Sequence, residues 1–452
     1  MKIPDKNYAL KPAYKTPSPN EAIDLYTGEL KIYQSDKILT TSGSIKFKWL
    51  PSPVVRFAIP ETTDVLKKGP IRLEIPDYHT YCDAYVNNIS ITSSTNKSYQ
   101  GILFRETILK KKSYCDNCDK TLFHLTNFKR YLGSSINENN FMWRGRLNLK
   151  NDEWEIIIDE NGNAKDLDGN LRDQGGFALT HTGILRRSDG NKFNIEQAKD
   201  KLQALHYFLS FVRGFWCSPI LEKGFLDDEI SWEMWDAPHL TPWKSVSSWF
   251  FEFEPNSIEK TFKGFMDKWD NPNWKESMKT AIYWYVEANI CAGGVEGAII
   301  LTQTALELLA WVYLVETANE PEYTISKFKH KPANNKICIL LESMNIPTHI
   351  PKELTNVREF RKELRKTKSQ KYNGIQIFTF IRNQIVHDRN DNPDKLSNIP
   401  IKVRIETREL GLWYLELVLL FLFGHNGDYY RRYVSGYPDE VKTYVPWVNN
   451  IY

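Results

Sequence analysis

Cysteine and long apolar runs are both scarce in this sequence. Six cysteines among 452 residues are too few for a disulfide scaffold and suit a reducing cytoplasm. The most apolar segment, Leu417–Phe423, covers seven residues, far short of the roughly 20 that span a bilayer. The N-terminus lacks the apolar core of a signal peptide. We therefore expect a soluble, cytoplasmic protein that does not act at a membrane.

Net charge is also small. Lysine plus arginine number 59 and aspartate plus glutamate 56, which leaves a formal charge of +3. This balance excludes a polybasic protein that coats nucleic acid, so any contact with RNA must use a local patch. The chain does have material for real cores, with 41% hydrophobic residues and 14 tryptophans. Its length predicts two or three domains of about 150 residues each.

The first part of the chain has the alternating pattern of β-strands. In residues 44–49, isoleucine, phenylalanine and tryptophan alternate with serine and lysine, which is the period of a half-buried strand. Residues 71–75 and 154–158 repeat the pattern, and turn-forming residues separate these runs. We predict a β-rich N-terminal domain over 1–192, a sandwich or barrel, as the sensor or regulatory part.

Helical spacing replaces this pattern after residue 192. Asn194 is a plausible N-cap for a helix over 195–212, and Gly214 can end that helix. We predict a helical or irregular connector over 193–270 and an all-α bundle with a C-terminal tail over 271–452, so that the whole chain is an α+β multidomain protein. The clearest helices are predicted at 272–291, 296–318, 333–345, 351–366, 374–388 and 403–424.

Most motifs with a known chemistry are absent, but one cysteine pair is a candidate metal site. The sequence contains no GxxxxGK[ST], GxSxG or HExxH. Cys115 and Cys118 are separated by two residues on a predicted turn, a spacing that allows two thiolates to share a structural zinc ion. The further zinc ligands would come from His79, Cys82 or His124. The alternative is a reduced cysteine pair in a β-hairpin.

A second cluster lies near the end of the predicted helix 374–388. Arg382 and Asn383 are adjacent, and His387 follows four residues after Asn383. Residues four apart share a helix face, and the long side chain of Arg382 can lean towards it from about 100° away. A buried stripe on the same helix is predicted from its apolar positions, which are Ile377, Phe378, Ile381 and Ile385.

A basic segment precedes this helix. Residues 352–371 contain eight lysines and arginines against three glutamates, a local charge of +5 that exceeds the +3 of the whole chain. A solvated helix face is the plain alternative to a binding surface. Upstream, Glu296, Gln303 and Glu307 are spaced seven and four residues apart, which predicts one polar stripe on an otherwise apolar helix.

The arginine–asparagine–histidine arrangement resembles the Rx4–6H motif of the HEPN superfamily, many members of which are metal-independent ribonucleases. The resemblance covers residues 280–425, and HEPN domains are helical bundles with the motif on a late helix. Residues 180–186 and 208–214 are also similar to ApeA-like anti-phage proteins, which join a β-rich N-terminal region to a C-terminal HEPN domain. That likeness implies abortive infection, with RNA, for example tRNA, as the substrate.

The resemblance assigns roles to individual residues. His387 would be the general acid and base, Arg382 the phosphate clamp and Asn383 its polar support, while Glu307 and Asp388 would assist. Two motifs would meet across a homodimer, and no cofactor would be required for catalysis. The basic segment would bind the RNA backbone, through Lys362, Arg365, Lys366 and Lys368.

Other interpretations stay open from sequence alone. Arg382 can form a surface ion pair with Asp388, and His387 can interact with the helix dipole. A non-catalytic HEPN scaffold for dimerisation and RNA binding would use the same residues without cleavage. A zinc enzyme built on Cys115 and Cys118 is the third alternative. A phage-derived trigger acting on the N-terminal half is expected if the protein is a restrained nuclease.

Overall fold

A computed structural model describes residues 8–448 apart from 16, 79, 94–95, 105, 112–115, 139–140, 318–322, 368–371 and 388–394. The chain divides into two compact units. The barrel-and-sheet unit comprises Met1–His206 and Trp216–Lys244, and the helical unit comprises Tyr207–Phe215 and Ser245–Tyr452. A β-rich first part and a helical second part confirm the predicted α+β class.

A closed six-stranded antiparallel barrel begins the barrel-and-sheet unit. Its strands are β1 (Ile23–Gln34), β2 (Lys37–Lys48), β3 (Val54–Thr62), β4 (Gly69–Glu74), β5 (Tyr81–Ile91) and β6 (Lys97–Leu103). They pair in the order β1-β2-β3-β6-β5-β4, and β4 returns to β1. The predicted alternation is confirmed here, because Ile45 and Phe47 are fully buried inside while Lys48 is exposed.

An eight-stranded sheet follows the barrel. Its strands are β7 (Thr107–Lys110), β9 (Lys120–Thr126), β10 (Ser134–Glu138), β11 (Phe141–Lys150), β12 (Trp154–Glu160), β13 (Leu179–Arg187), β15 (Pro219–Leu226) and β16 (Glu229–Trp235). Their order is β10-β11-β12-β13-β9-β15-β16-β7. A separate pair joins β8 (Asn117–Cys118) to β14 (Phe193–Asn194), and α1 (Ala164–Gln174) connects β12 to β13. Part of the predicted connector therefore belongs to this sheet.

The helix α2 (Ile195–Arg213) has the ends that the sequence predicts. The backbone N–H of Gln197 donates to Asn194 Oδ1 at 2.9 Å, and the Gln197 side chain accepts from the Asn194 N–H at 3.0 Å. This reciprocal capping box satisfies donors that the first turn leaves free. Gly214 ends the helix with a φ of 84°, a conformation that favours glycine.

The helical unit contains α3 (Asn256–Trp269), α4 (Pro272–Asn289), α5 (Gly294–Trp311) with a π-helical continuation Val312–Thr317, α6 (Ile325–Lys329), α7 (Ala333–Ser343), α8 (Thr355–Thr367), α9 (Gly374–Val386), the 3-10 turn Leu396–Asn398 and α10 (Ile401–Leu422). The hairpin strands β17 (Asp428–Tyr430) and β18 (Lys442–Tyr444) flank α11 (Pro438–Val441). The central helix is α10, which packs against α3, α4, α5, α8 and α9.

A buried polar network anchors α10 to the segment that follows it. The guanidinium of Arg432 donates to Glu416 at 2.6 Å, to Glu409 at 2.8 Å and to Asn289 at 2.6 Å. The Tyr285 hydroxyl donates to Glu416 at 2.7 Å. Burial raises the pKa of Glu416, while the charge of Arg432 opposes that shift. A buried ion pair of this kind depends on both partners being present.

One helix in the described part of the chain is long and apolar enough to cross a bilayer by length and composition. It spans Gly294–Thr317, not the shorter Leu417–Phe423 segment that the sequence singled out. In the helical unit, 56% of the most apolar 18-residue stretch of this helix is buried. Ile299 and Leu306 are fully buried. The helix therefore contributes to the core of the helical unit.

Candidate functional site

The helix α9 carries the candidate residues and begins with a capping box. The Gln376 N–H donates to Asn373 Oδ1 at 2.9 Å, and the Asn373 N–H donates to Gln376 Oε1 at 2.8 Å. The helix ends at Val386, and the His387 N–H closes the last turn by donating to the Asn383 carbonyl at 2.9 Å. His387 itself has left the helical conformation.

The packing of α9 fixes its position against α10. Ile377, Phe378 and Ile381 are fully buried, as predicted, and Ile385 is half-buried. Phe378 packs so closely on α10 that a Cβ atom added at Gly411 would come closer than 3.0 Å to its ring. About one turn earlier on α9, a Cβ atom at Gly374 would approach the Tyr414 hydroxyl as closely. The two contacts define an antiparallel register.

This register brings the end of α9 beside the start of α10. Nine residues forward from Phe378 is His387, and nine residues back from Gly411 is Lys402, so the two lie at about the same level. The 3-10 turn Leu396–Asn398, just before α10, also contacts α9. Lys402 is exposed, and at nine residues, or about two and a half turns, from Gly411 it lies on the opposite side of α10 from the contact with Phe378.

Arg382, Asn383 and His387 form one continuous group. Arg382 Nη1 donates to Asn383 Oδ1 at 3.4 Å, a long hydrogen bond that turns the guanidinium towards the asparagine. Arg382 is half-buried, and its Nε atom is buried without a hydrogen-bond partner among the described residues. Asn383 and His387 are exposed. The group therefore combines a fixed cation with a solvent-accessible imidazole.

Exposed apolar side chains surround the same end of the helix pair. Val386 on α9 is 45% exposed, and Ile401 and Ile405 on α10 are 49% and 42% exposed. Ile401 and Ile405 are four residues apart and share a helix face. Sequence reasoning missed this feature, because an amphipathic pattern does not reveal which apolar residues stay uncovered.

The predicted supporting residues lie in different surroundings. Glu307 is half-buried and accepts a hydrogen bond from the Gln303 side chain of its own helix at 2.8 Å. Within the described residues, no hydrogen bond joins Glu307 to α9. Glu296, at the start of the same polar stripe, forms an ion pair with Arg404 of α10. Asp388 lies outside the described residues.

The predicted RNA-binding residues of α8 are exposed. Lys362, Arg365 and Lys366 all have accessible side chains, while Lys368 lies outside the described residues. Lys366 forms an ion pair with Glu363 at 2.7 Å. The helix reaches α9 through Phe360, whose ring centroid lies 6.3 Å from that of Phe380.

The candidate zinc ligands are dispersed among other contacts where they are described. Cys82 is buried in the barrel core, and burial raises its pKa to about 12. His124 Nε2 accepts the Ala13 N–H at 3.0 Å, and burial lowers the pKa of His124 to about 4. Cys118 is also buried. Cys115 and His79 lie outside the described residues, and the described ones contain no group of three metal-ligand side chains.

Comparison with known proteins gives two family matches. The model of the YopA central domain matches residues 115–246, and that of the YopA C-terminal domain matches 271–441. The second match covers α4 to α11 and so contains the candidate site. No solved structure matches the chain.

A relative matches over nearly its whole length. The chain is 29% identical over 459 residues to the SPbeta prophage-derived uncharacterized protein YopA of Bacillus subtilis (strain 168). The alignment covers 98% of this chain and 99% of the relative. The alignment therefore spans both the barrel-and-sheet unit and the helical unit of this chain.

Proposed function

We propose that the helical unit is a HEPN-type, metal-independent endoribonuclease. The observation that supports this most directly is the contact of Arg382 with Asn383 beside an exposed His387, all at one end of α9. A histidine titrates near neutral pH and can exchange protons with solvent. An arginine is always charged and offers a planar fork for phosphate oxygens.

The reaction would transfer a phosphoryl group within the RNA. An imidazole takes the proton of the 2′-hydroxyl, the 2′-oxygen bonds to phosphorus, and the bond from phosphorus to the 5′-oxygen breaks. A second imidazole, in its protonated form, gives its proton to the leaving 5′-oxygen. Arg382 stabilises the charge on the phosphate oxygens, and Asn383 holds Arg382. The products are a 2′,3′-cyclic phosphate and a 5′-hydroxyl end.

A homodimer would supply the second histidine. Exposed apolar residues are Val386 at the end of α9 and Ile401 and Ile405 at the start of α10, and exposed apolar clusters mark protein contact sites. A second copy docked there would bring two His387 side chains to one cleft. No zinc or other cofactor would be needed for cleavage. A structural zinc at Cys115 and Cys118 is a separate proposal, tested by metal analysis of the purified protein.

We further propose a cytoplasmic role in anti-phage defence by abortive infection, with tRNA as a candidate substrate. The barrel-and-sheet unit would be the sensor of a phage-derived trigger. An open cavity of about 670 Å³ on the outer face of the barrel supports this, because it is lined by aromatic and charged side chains such as Tyr33, Arg72, Tyr81 and Phe104. The prophage origin stated in the relative's name accords with such a role.

The nuclease proposal is tested by cleavage in EDTA. Purified protein should cut RNA without metal, and His387→Ala and Arg382→Ala should each abolish cutting while the dimer persists in sedimentation analysis. His330→Ala removes another exposed histidine of the same unit and should leave cutting intact. Cutting that survives both site substitutions would falsify the mechanism.

The second candidate is a non-catalytic HEPN scaffold for dimerisation and RNA binding. It is favoured by one observation: the His387 side chain makes no hydrogen bond to any described residue, so none of these residues orients its imidazole. The scaffold would bind RNA through Lys362, Arg365 and Lys366 and leave it uncut. RNA that binds tightly and remains full length in the EDTA assay would favour this alternative.

A further inference from the structure

The helix α8 divides its charged residues between two faces. Val357 and Leu364 are buried and define the packed side. Arg358, Arg361 and Arg365, at spacings of three and four, share the face next to it. The outer face carries both signs of charge, with Glu359, Glu363 and Lys366, and Lys362 lies at its border with the arginine face. Three like charges are therefore gathered on one side of the helix.

These arginines have no acidic partner among the residues that the structure describes. Arg358 donates only to the Lys352 carbonyl at 3.5 Å, and Arg365 only to the Tyr372 carbonyl at 3.4 Å. Arg361 is half-buried, with its Nε atom buried and unpartnered. Burial lowers the pKa of Arg361, and the charges of Arg365 and Arg358 lower it further.

Two carboxylates from outside α8 that lie beside its start are engaged elsewhere. Glu406 of α10 caps the start of α8 by accepting the Val357 N–H at 2.9 Å. Glu353, just before α8, pairs with Arg431 at 3.5 Å. Among the described residues, no carboxylate forms an ion pair with the arginine face, and a bound anion would relieve the repulsion within it.

The anion must be extended to satisfy all three side chains. Arg358 and Arg365 are seven residues apart, which corresponds to about 10.5 Å along a helix. One guanidinium group can bind two phosphate oxygens. A row of guanidinium groups along one helix therefore matches the phosphates of a single strand better than those on the two sides of a duplex groove. We propose that the arginine face of α8 binds successive phosphates of single-stranded RNA, an inference that rests on the proposed RNA substrate.

This assignment differs from the basic segment taken as a whole. By charge alone, Lys366 would belong to the RNA-binding surface. In the structure it lies on the outer face and is paired with Glu363. Arg358 and Arg361 take its place. The salt dependence of binding distinguishes the two assignments, because each phosphate contact releases counterions and contributes about 0.7 to the slope for a single strand.

The experiment measures binding of a labelled 20-nucleotide single-stranded RNA by fluorescence polarisation at several salt concentrations. The full chain carries His387→Ala, which prevents cleavage. Replacing Arg358, Arg361 and Arg365 together by glutamine should weaken binding at least tenfold and lower the salt slope by about 2. The charge-matched control, Lys263→Gln with Lys327→Gln and Lys329→Gln, should change binding less than twofold.

Three outcomes overturn the inference. The first is that the triple arginine variant binds RNA as tightly as the lysine control does. The second is that the double variant Lys362→Gln with Lys366→Gln loses as much binding as the arginine variant. The third is that the starting protein does not bind RNA. If the triple variant fails to fold, Arg358→Gln with Arg365→Gln leaves the half-buried Arg361 in place and should lower the slope by about 1.4. Arginine-dependent binding without cleavage by the wild-type chain would reject the nuclease and retain this inference.

Discussion

Asn383 contacts the two other residues of the candidate site. Its side chain accepts from Arg382, and its carbonyl accepts from the His387 N–H. The first bond orients the cation, and the second fixes where the chain leaves α9. An exposed asparagine thus has a structural task within the site that does not require contact with RNA.

Arg382→Lys tests the value of the guanidinium fork. The positive charge is kept, but lysine is a point charge that cannot bind two phosphate oxygens in one plane. We expect RNA cleavage to fall by about 10- to 100-fold, equivalent to roughly 1.4 to 2.7 kcal/mol, with thermal stability unchanged. Initial cleavage rates and a melting curve measure the two effects. Wild-type activity in this variant would mean that charge alone suffices.

Arg432→Met tests the buried network in the helical unit. Arg432 and Glu416 are almost fully inaccessible, so the substitution leaves a carboxylate buried without its cation. We expect the free energy of unfolding to fall by about 3 to 5 kcal/mol, measured by urea denaturation. Adding Glu416→Gln should recover part of that loss because it removes the unpaired charge. No recovery in the double variant would argue that lost packing, not charge, is responsible.

The helices α9 and α10 set the site together, because two glycine-mediated contacts hold them in register. Gly374 and Gly411 permit approaches that a side chain would prevent. The close approaches at Gly374 and Gly411 set an antiparallel register, which places the end of α9 towards the start of α10.

Gly411→Ala is expected to destabilise the helical unit. Alanine is the better helix former by about 1 kcal/mol, but its methyl group would overlap the fully buried ring of Phe378. Overpacking of a core costs about 1 to 3 kcal/mol. We therefore expect a net loss in the free energy of unfolding, which urea denaturation measures. Gly297→Ala is the matched control, since nothing lies within 4 Å of its added Cβ, and it should stabilise. Stabilisation by both changes would contradict the packing argument.

Helices were the most predictable elements, and strand pairing the least. The cap at Asn194 and the start of α9 were readable because helical spacing and caps are local. The strands β15 and β16 were missed because nearly every residue in them is buried, which removes the alternating pattern. For the site, the sequence indicated Arg382, Asn383 and His387 but not the start of α10, which depends on a contact between distant helices.

Among the described residues, four buried ionisable groups of the barrel-and-sheet unit have pKa values shifted far enough to affect its stability near neutral pH. Burial lowers the pKa of His124 to about 4, of His181 to about 3 and of His206 to about 4. Burial raises the pKa of Glu222 to about 8. The histidines are therefore neutral in the folded unit at pH 6, and Glu222 is protonated.

These shifts predict a maximum in stability near neutral pH. The histidine contributions are present above pH 6.5 and are lost as pH falls towards 4, because the unfolded chain binds protons there. The Glu222 contribution is present below pH 4.5 and is lost as pH rises through 8. Around pH 5, three histidines gain protons on unfolding and one glutamate loses one, so the unfolded chain binds about two protons more than the folded chain. The free energy of unfolding should therefore rise by about 3 kcal/mol per pH unit there.

Urea denaturation followed by tryptophan fluorescence at pH 5, 7 and 8.5 measures this profile. Glu222→Gln should remove most of the loss between pH 7 and 8.5 and leave the acid side steep, since the histidines are unchanged. A profile that is flat between pH 5 and 7 would show that the three histidines gain no protons on unfolding.

The closure of the barrel restricts how this part of the molecule can recognise anything. Since β4 pairs with β1, each of the six strands has a neighbour on both sides, whereas the eight-stranded sheet ends in β10 and β7. A peptide can lengthen a sheet only where a backbone row is unpaired. The seam between β1 and β4 pairs only Lys31–Tyr33 with Arg72–Glu74, so strand addition to the barrel is restricted to the rest of β1. Elsewhere, recognition must use outward-facing side chains, which can diverge between relatives without disturbing the hydrogen-bonded frame beneath them.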